Sequence, residues 1–232
     1  MTDIDSELSV IIAGASGLVG QSLVEVLLNE NNVRAVHALV RRPLPQQSGK
    51  LVEHQHSELT LTQWDETTPS PQLGFICLGT TLKEAGSKAA LSHVDYDLVC
   101  QVAHTMKLIG VKHLAVVSSI GAHPQSPSHY LRCKGKMEHA LRGMGFDRLV
   151  FVRPGPLSGN RLKPRANEVL SEKILSALGP LLIGPLKNFK PIQANDVAKA
   201  MLYSLMLPKS QYSGSCTVLD SRAIWQLIRQ FR

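Results

Sequence analysis

The sequence predicts an α/β protein built on a doubly wound parallel sheet, with the last third of the chain adding a small lobe beside it. Three observations carry that expectation. Short apolar, β-branched runs alternate with segments of helical spacing, the pattern of parallel strands joined by crossover helices. One of those runs, HLAVV at 113–117, is apolar almost throughout, as strands covered on both faces are. Three glycines, Gly14, Gly17 and Gly20, stand between the first run and the first helical segment.

Strands are expected at Leu8 to Ala13, Val33 to Val40, Phe75 to Leu78, His113 to Val117 and Leu149 to Val152. Helices are expected at Leu18 to Leu28, Ala89 to Ile109 and Tyr130 to Leu141, where apolar residues recur three and four positions apart. Beyond Arg153 the texture changes, and Pro154, Pro156, Pro164, Pro180, Pro185 and Pro191 interrupt the chain. Helical stretches remain at Ala166 to Leu178 and at Asp196 to Leu207, the second with Asp196 placed to cap it. Val218 to Leu219 and Ala223 to Ile228 close the chain as a short strand and helix. Residues 1–232 are read as one domain, in which 154–232 supply the lobe and the final sheet elements. There is no internal repeat and no low-complexity run.

With 232 residues, 44% hydrophobic and 19% charged, the chain can bury one sizeable core and is not disordered in bulk. Its net charge of +7 invites anionic partners and is unevenly spread. Residues 1–75 hold 4 basic and 9 acidic side chains, 76–150 hold 9 and 5, and 151–232 hold 12 and 4. Four cysteines, Cys77, Cys100, Cys133 and Cys216, lie far apart without zinc-ligand spacing, and the histidines lack a partner set, so no metal is expected. The polar, acidic opening MTDIDSELS predicts no secretory leader, and no apolar run reaches the ~18 residues a membrane span needs. A cytoplasmic location with reduced thiols is expected. Aromatics make up 5% of the chain and do not interleave with basic residues, which argues against nucleic-acid binding by base stacking.

The glycine turn, AGASGLVGQ, has the context of a dinucleotide site: an apolar strand before it and an amphipathic helix after it. Gly14 permits the tight turn, Gly17 lets backbone approach a pyrophosphate, and Gly20 lets the helix pack against the strand. Ala15, Ser16, Leu18 and Val19 complete the loop and helix N-terminus that would face the phosphates. The second strand ends in ALVRRP, with Arg41 and Arg42 where an NAD site places a carboxylate for the ribose 2′-hydroxyl. Guanidinium groups pair with a 2′-phosphate, so NADP(H) is expected over NAD(H).

HLAVVSSIGA ends a buried strand with Ser118 and Ser119, and eleven positions after Ser119 comes Tyr130, four before Lys134. Tyr130 and Lys134 therefore share one helix face. An ammonium held beside a phenol favours phenolate, which suits Tyr130 to give or take a proton at a carbonyl or alcohol oxygen. A serine at the carboxyl end of a strand, Ser119 in preference to Ser118, can hold that oxygen. Lys134 can also hold ribose hydroxyls.

GASGLVG, VSSIGA and YLRCK together resemble the short-chain dehydrogenase/reductases. LVRR, GFICLGTTLKEAG, FDRLVFVRPGPLSGNR and NDVAKAM are similar to their atypical branch, the Tat-interacting-protein-type NAD(P)-binding oxidoreductases, over about residues 9 to 225. The resemblance implies a Rossmann-type sheet with a small C-terminal substrate-side lobe, NADP binding at the glycine turn and Arg41/Arg42, and a Ser119–Tyr130–Lys134 catalytic site. It further implies that Leu78, Gly79 and Thr80 border the cofactor and that Pro154, Gly155 and Leu157 lie near the nicotinamide. Two departures stand out: Gln55 or His56 where the family often has an Asp near the adenine, and Asp95 where extended members have an Asn supporting a proton relay.

The leading expectation is an NADPH-dependent oxidoreductase acting on a small carbonyl or alcohol substrate. The alternatives are an NADP-sensing regulatory or scaffold protein with little turnover, motivated by Asp95 and the basic last third, and a nucleotide-sugar epimerase or dehydratase, disfavoured by the short lobe. A homodimer fits such a fold. The basic segment around Arg161, Lys163 and Arg165 is read as a solvated face over the substrate cleft in preference to a surface for a protein partner or an acidic membrane, and the basic excess points to an anionic substrate or partner near 153–199.

Overall fold

The computed structural model describes residues 7–61, 63–65, 67–158, 188, 190–208 and 215–231. In chain order the strands are β1 Leu8–Ala13, β2 Val33–Val40, β3 Leu51–Gln55, β4 Leu73–Ile76, β5 His113–Val117, β6 Arg148–Arg153, β7 Leu157–Ser158, β8 Ile192–Gln193 and β9 Cys216–Asp220. Seven of them form one parallel sheet in the order β3-β2-β1-β4-β5-β6-β9, and β7 pairs with β8 in a separate two-stranded ribbon. The order reverses direction between β1 and β4, which opens a crevice at their carboxyl ends.

Parallel strands are joined by crossovers, which are usually helical, and the helices here cover both faces. The helices are α1 Leu18–Asn29, α2 Leu82–Ala85, α3 Lys88–Ser92, α4 Leu98–Leu108, α5 His129–Arg142, α6 Ala194–Met206 and α7 Ser221–Gln230, with a π-helical turn at His93–Asp97 between α3 and α4. Strand residues alternate between two cores, as period-two geometry requires. Val10 and Ile12 pack with Leu23 and Leu27 of α1, Met201 of α6 and Ile224 of α7. Ile11 and Ala13 pack on the other face with Val102 and Met106 of α4 and Met137 and Leu141 of α5. The architecture is the expected doubly wound parallel α/β fold.

The differences from expectation have physical reasons. β3 is an edge strand whose residues Val52, Glu53 and Gln55 are exposed, so it carries no apolar run for periodicity to find. β4 is displaced two residues towards the N-terminus, leaving Cys77 and Leu78 to turn into the crevice. The single helix expected at Ala89 to Ile109 is interrupted by the π turn. Asp196 does not cap its helix: Gln193 occupies the cap position of α6, and Asp196 sits in the first turn, where its carboxylate faces the positive end of the helix dipole. The stretch Ala166 to Leu178, with Arg161, Lys163 and Arg165, lies outside the described residues. Among the described residues no helix is long and apolar enough to cross a membrane.

At the β2–β3 edge His37 is 3% exposed. Its Nδ1 lies 3.0 Å from His54 Nε2 and its ring 4.9 Å from that of Trp64. Burial, then the neighbouring His54, lowers the His37 pKa from 6.5 to about 4, and burial lowers that of His54 as well. The folded state therefore holds His37 neutral while the unfolded chain takes up a proton. Stability is complete above pH 6.5 and falls as pH drops from 6.5 towards 4, by ~2–3 kcal/mol for this residue. Urea unfolding at pH 7 and pH 4.5 should show a smaller loss of stability in His37→Phe than in the wild type.

Candidate functional site

The crevice at the carboxyl ends of β1 and β4 is a cleft of about 970 Å³. Its floor is built by backbone proximity. Gly14 adopts φ +84°, and a Cβ there would stand 2.6 Å from the Cys77 carbonyl carbon. A Cβ on Gly20 would fall 2.0 Å from the Gly14 carbonyl oxygen, so only glycine lets α1 settle on the turn. Gly17 differs: a Cβ there would lie 3.4 Å from the Gly14 oxygen, an ordinary contact, and Gly17 itself lines the cleft. The protein's own packing would therefore admit a side chain at Gly17.

Ala15, Ser16, Leu18 and Val19 also line the cleft, whereas Gly20 stands behind it. The first turn of α1 carries no acidic residue and Gly17 offers no side-chain cap, so N–H groups at the positive end of the helix dipole face the cleft. Arg41 and Arg42, both exposed, line the same cleft at the end of β2. These groups fit a dinucleotide: backbone donors for its pyrophosphate, a glycine surface for close approach, and guanidinium groups beyond.

The opposite wall holds the remaining predicted residues. Ser118, Ser119, Tyr130 and Lys134 line the cleft together, as do Leu78, Gly79, Thr80, Pro154, Gly155 and Leu157. The two serines have different company. Ser118 is 3% exposed and its hydroxyl donates to Glu138 Oε1 at 2.5 Å. The Ser119 hydroxyl meets only the Ile120 carbonyl, at 3.4 Å, among the described residues. Ser119 is therefore the serine free to meet a ligand.

Lys134 is 1% exposed. Its Nζ lies 2.9 Å from Asp95 Oδ1 and donates to the carbonyls of Leu78 at 3.2 Å and Val117 at 3.3 Å. Burial alone would lower its pKa, but Asp95, with Tyr130 and Glu138, outweighs burial and holds it above the ordinary lysine value. Burial also pushes the Cys77 thiol in the cleft up to about 12, against the pull of Lys134, so it stands protonated.

Sequence reasoning did not assign two members of this region to the site. Asp95, fully buried in the π turn, pairs with Lys134, and Glu138 accepts from Arg153 Nε at 2.8 Å and Nη2 at 2.5 Å as well as from Ser118. Glu138 left a trace in the sequence, since it continues the four-residue spacing of Tyr130 and Lys134 along one helix face. Asp95 left only its departure from the resembled pattern. Ser128 and His129, at the start of α5, and Leu91 of α3 also line the cleft and carry no motif.

The fold and cleft define a dinucleotide-binding α/β protein. Residues 14–208 match the NAD(P)H-binding family, and the chain belongs to it. Protein FMP52 of Debaryomyces hansenii is 30% identical over 213 residues, covering 89% of this chain and 92% of its own. Protein HTATIP2 of Rattus norvegicus is 33% identical over 222 residues, covering 94% and 88%. Among solved structures, MoeE5 in complex with UDP-glucuronic acid and NAD superposes with a TM-score of 0.67 at 19% identity, over 91% of this chain and 75% of that one. UDP-glucose 4-epimerase from Thermotoga maritima, with UDP-glucose, superposes at 0.64 and 14% identity, over 96% and 81%. At such identities the likeness is one of fold.

The expected cytoplasmic location is overturned by the relatives. The FMP52 proteins of Debaryomyces hansenii, Coccidioides immitis, Candida albicans and Saccharomyces cerevisiae are all named mitochondrial. Composition of the folded body does not carry an address, because targeting is read from short segments.

Substituting the glycines separates ligand approach from folding. Gly17→Ala should unfold within about 2 °C of the wild type yet bind NADPH at least about tenfold more weakly, a loss of ~1.4 kcal/mol. Gly20→Ala should lose several degrees of Tm or fail to fold. Thermal melts and fluorescence titration with NADPH read both.

Proposed function

We propose that the protein is an NADPH-dependent oxidoreductase that interconverts a small carbonyl compound and its alcohol, with Ser119, Tyr130 and Lys134 as the catalytic group. One observation carries this reading. The open N-terminus of α1, the Arg41–Arg42 pair and the side chains of Ser119, Tyr130 and Lys134 converge on one cleft. Bound NADPH would supply the hydride. In the direction of reduction Ser119 donates a hydrogen bond to the substrate oxygen and Tyr130 passes its phenolic proton to it. The Lys134 ammonium, four residues on along α5, stabilises the phenolate that results. Tyr130 then regains a proton from solvent.

The preference for NADPH over NADH is part of the same proposal. Arg41 and Arg42 supply positive charge where a 2′-phosphate would lie, and an NAD site would place a carboxylate there.

Tyr130→Phe should lose at least about 100-fold in kcat/KM for NADPH-dependent carbonyl reduction, with the Kd for NADPH within threefold of the wild type. Full activity of that variant on a substrate of the wild type would overturn the mechanism. Replacing both arginines with serine should weaken NADPH binding by about tenfold or more while changing NADH binding less than threefold. Equal losses for the two cofactors would refute the assignment of Arg41 and Arg42.

A further inference from the structure

Lys134 and the cleft wall above it are held by one carboxylate. Asp95 is fully buried, and its two oxygens serve different partners. Oδ1 faces the Lys134 ammonium at 2.9 Å, and Oδ2 accepts the Thr80 backbone N–H at 3.0 Å. Lys134 in turn donates to the Leu78 carbonyl at 3.2 Å. The loop Leu78–Gly79–Thr80 is thus tied at one end by the lysine and at the other by the aspartate. Between the ties, Gly79 lies close over the pair: a Cβ on it would stand 3.3 Å from Asp95 Oδ1 and 3.4 Å from Lys134 Nζ. That loop lines the cleft.

We infer that Asp95 is a positioning residue of this site, holding the Lys134 ammonium and the Leu78–Thr80 loop together as one clamp across the cleft wall. The inference rests on the reading of Tyr130 and Lys134 as a proton-transfer pair. Asp95 is fully buried and does not line the cleft; it acts through Lys134 and the loop. The titratable groups that face Lys134 are Asp95 from the π turn, Tyr130 and Glu138 from α5, and Cys77 from the end of β4. Cys77 stands protonated, so it adds no charge. Among the described residues Asp95 is the carboxylate in ion-pair contact with the ammonium. Without its charge, burial would favour the neutral amine, and Tyr130 would lose its cationic neighbour as pH rises. A neutral amide of the same shape has one acceptor oxygen, so it removes the charge and keeps only one of the two contacts, to Lys134 or to Thr80.

Asp95→Asn removes the counter-charge while keeping the size of the side chain. The alkaline limb of the kcat/KM profile should move to lower pH by at least one unit. At pH 8 kcat should fall about tenfold or more, and at pH 6 the Kd for NADPH should stay within threefold of the wild type. A uniform loss with an unmoved pH profile would overturn the inference. Because an unpaired buried ammonium can prevent folding, the wild-type protein supplies a second measurement. The Lys134 ammonium resonance, assigned by its loss in Lys134→Met, should remain protected from solvent exchange and untitrated up to pH 10 by lysine-resolved NMR, with and without NADPH. A freely exchanging or titrating ammonium would refute the clamp. A protected ammonium in a protein that reduces no carbonyl would support the clamp and count against the catalytic reading alone.

Discussion

The distance at which α1 approaches β1 governs the rest of the molecule. With Gly14 in the left-handed region and Gly20 bearing no side chain, helix backbone rests on turn backbone, where any Cβ at Gly20 would meet the Gly14 carbonyl at 2.0 Å. That contact seats Leu23 and Leu27 of α1 in the same core as Val10 and Ile12 of β1 and Met201 of α6. It also aims the open end of α1 into the gap where the strand order reverses between β1 and β4. Core packing and cleft therefore share one constraint, and a side chain at Gly20 would disturb both.

Across the cleft a second constraint operates through buried charge. Tyr130, Lys134 and Glu138 stand on one face of α5, and each of the two charged groups is matched by a partner from another element. Lys134 pairs with Asp95 of the π turn, and Glu138 pairs with Arg153 at the end of β6 while accepting from Ser118 at the end of β5. Isolated buried charges would be costly, and complete pairing makes them specific instead. Removing one partner leaves the other uncompensated, at about 3–5 kcal/mol. The carboxyl ends of β5 and β6 and the loop after β4 are thereby referred to the same helix, which is why Ser119, Tyr130 and the wall at Pro154–Leu157 face a common space.

How far this was legible in the sequence follows from how local each feature is. The strands at 8–13, 33–40 and 113–117 are read directly, because burial on both faces writes an apolar run. The glycine turn and the Tyr130–Lys134 spacing are local as well. β3 is hidden because this edge strand is largely exposed and carries no apolar run. The helix over 89–109 is legible, but its π turn is not, since apolar spacing survives one extra residue per turn. The choice of Ser119 over Ser118 has no local signal at all. What favours Ser119 is Glu138 on another element, which engages the Ser118 hydroxyl while the Ser119 hydroxyl meets only the Ile120 carbonyl among the described residues.

The surroundings of Lys134 bear on how the lysine acts. An ammonium has three donors, and three oxygens already surround this one, from Asp95, Leu78 and Val117. A ribose hydroxyl gains a hydrogen bond from it only by displacing one of them. The Val117 carbonyl, at 3.3 Å, is the longest of the three and the least costly to give up, whereas displacing Asp95 would strip a buried cation of its counter-charge. The lysine's influence on its neighbours then runs chiefly through its charge, which falls off slowly in a poorly solvated wall and needs no donor of its own. Such an arrangement holds the cation by the protein's own groups, and in the proposed reaction it would leave the hydrogen bonding of the substrate oxygen to Ser119 and Tyr130.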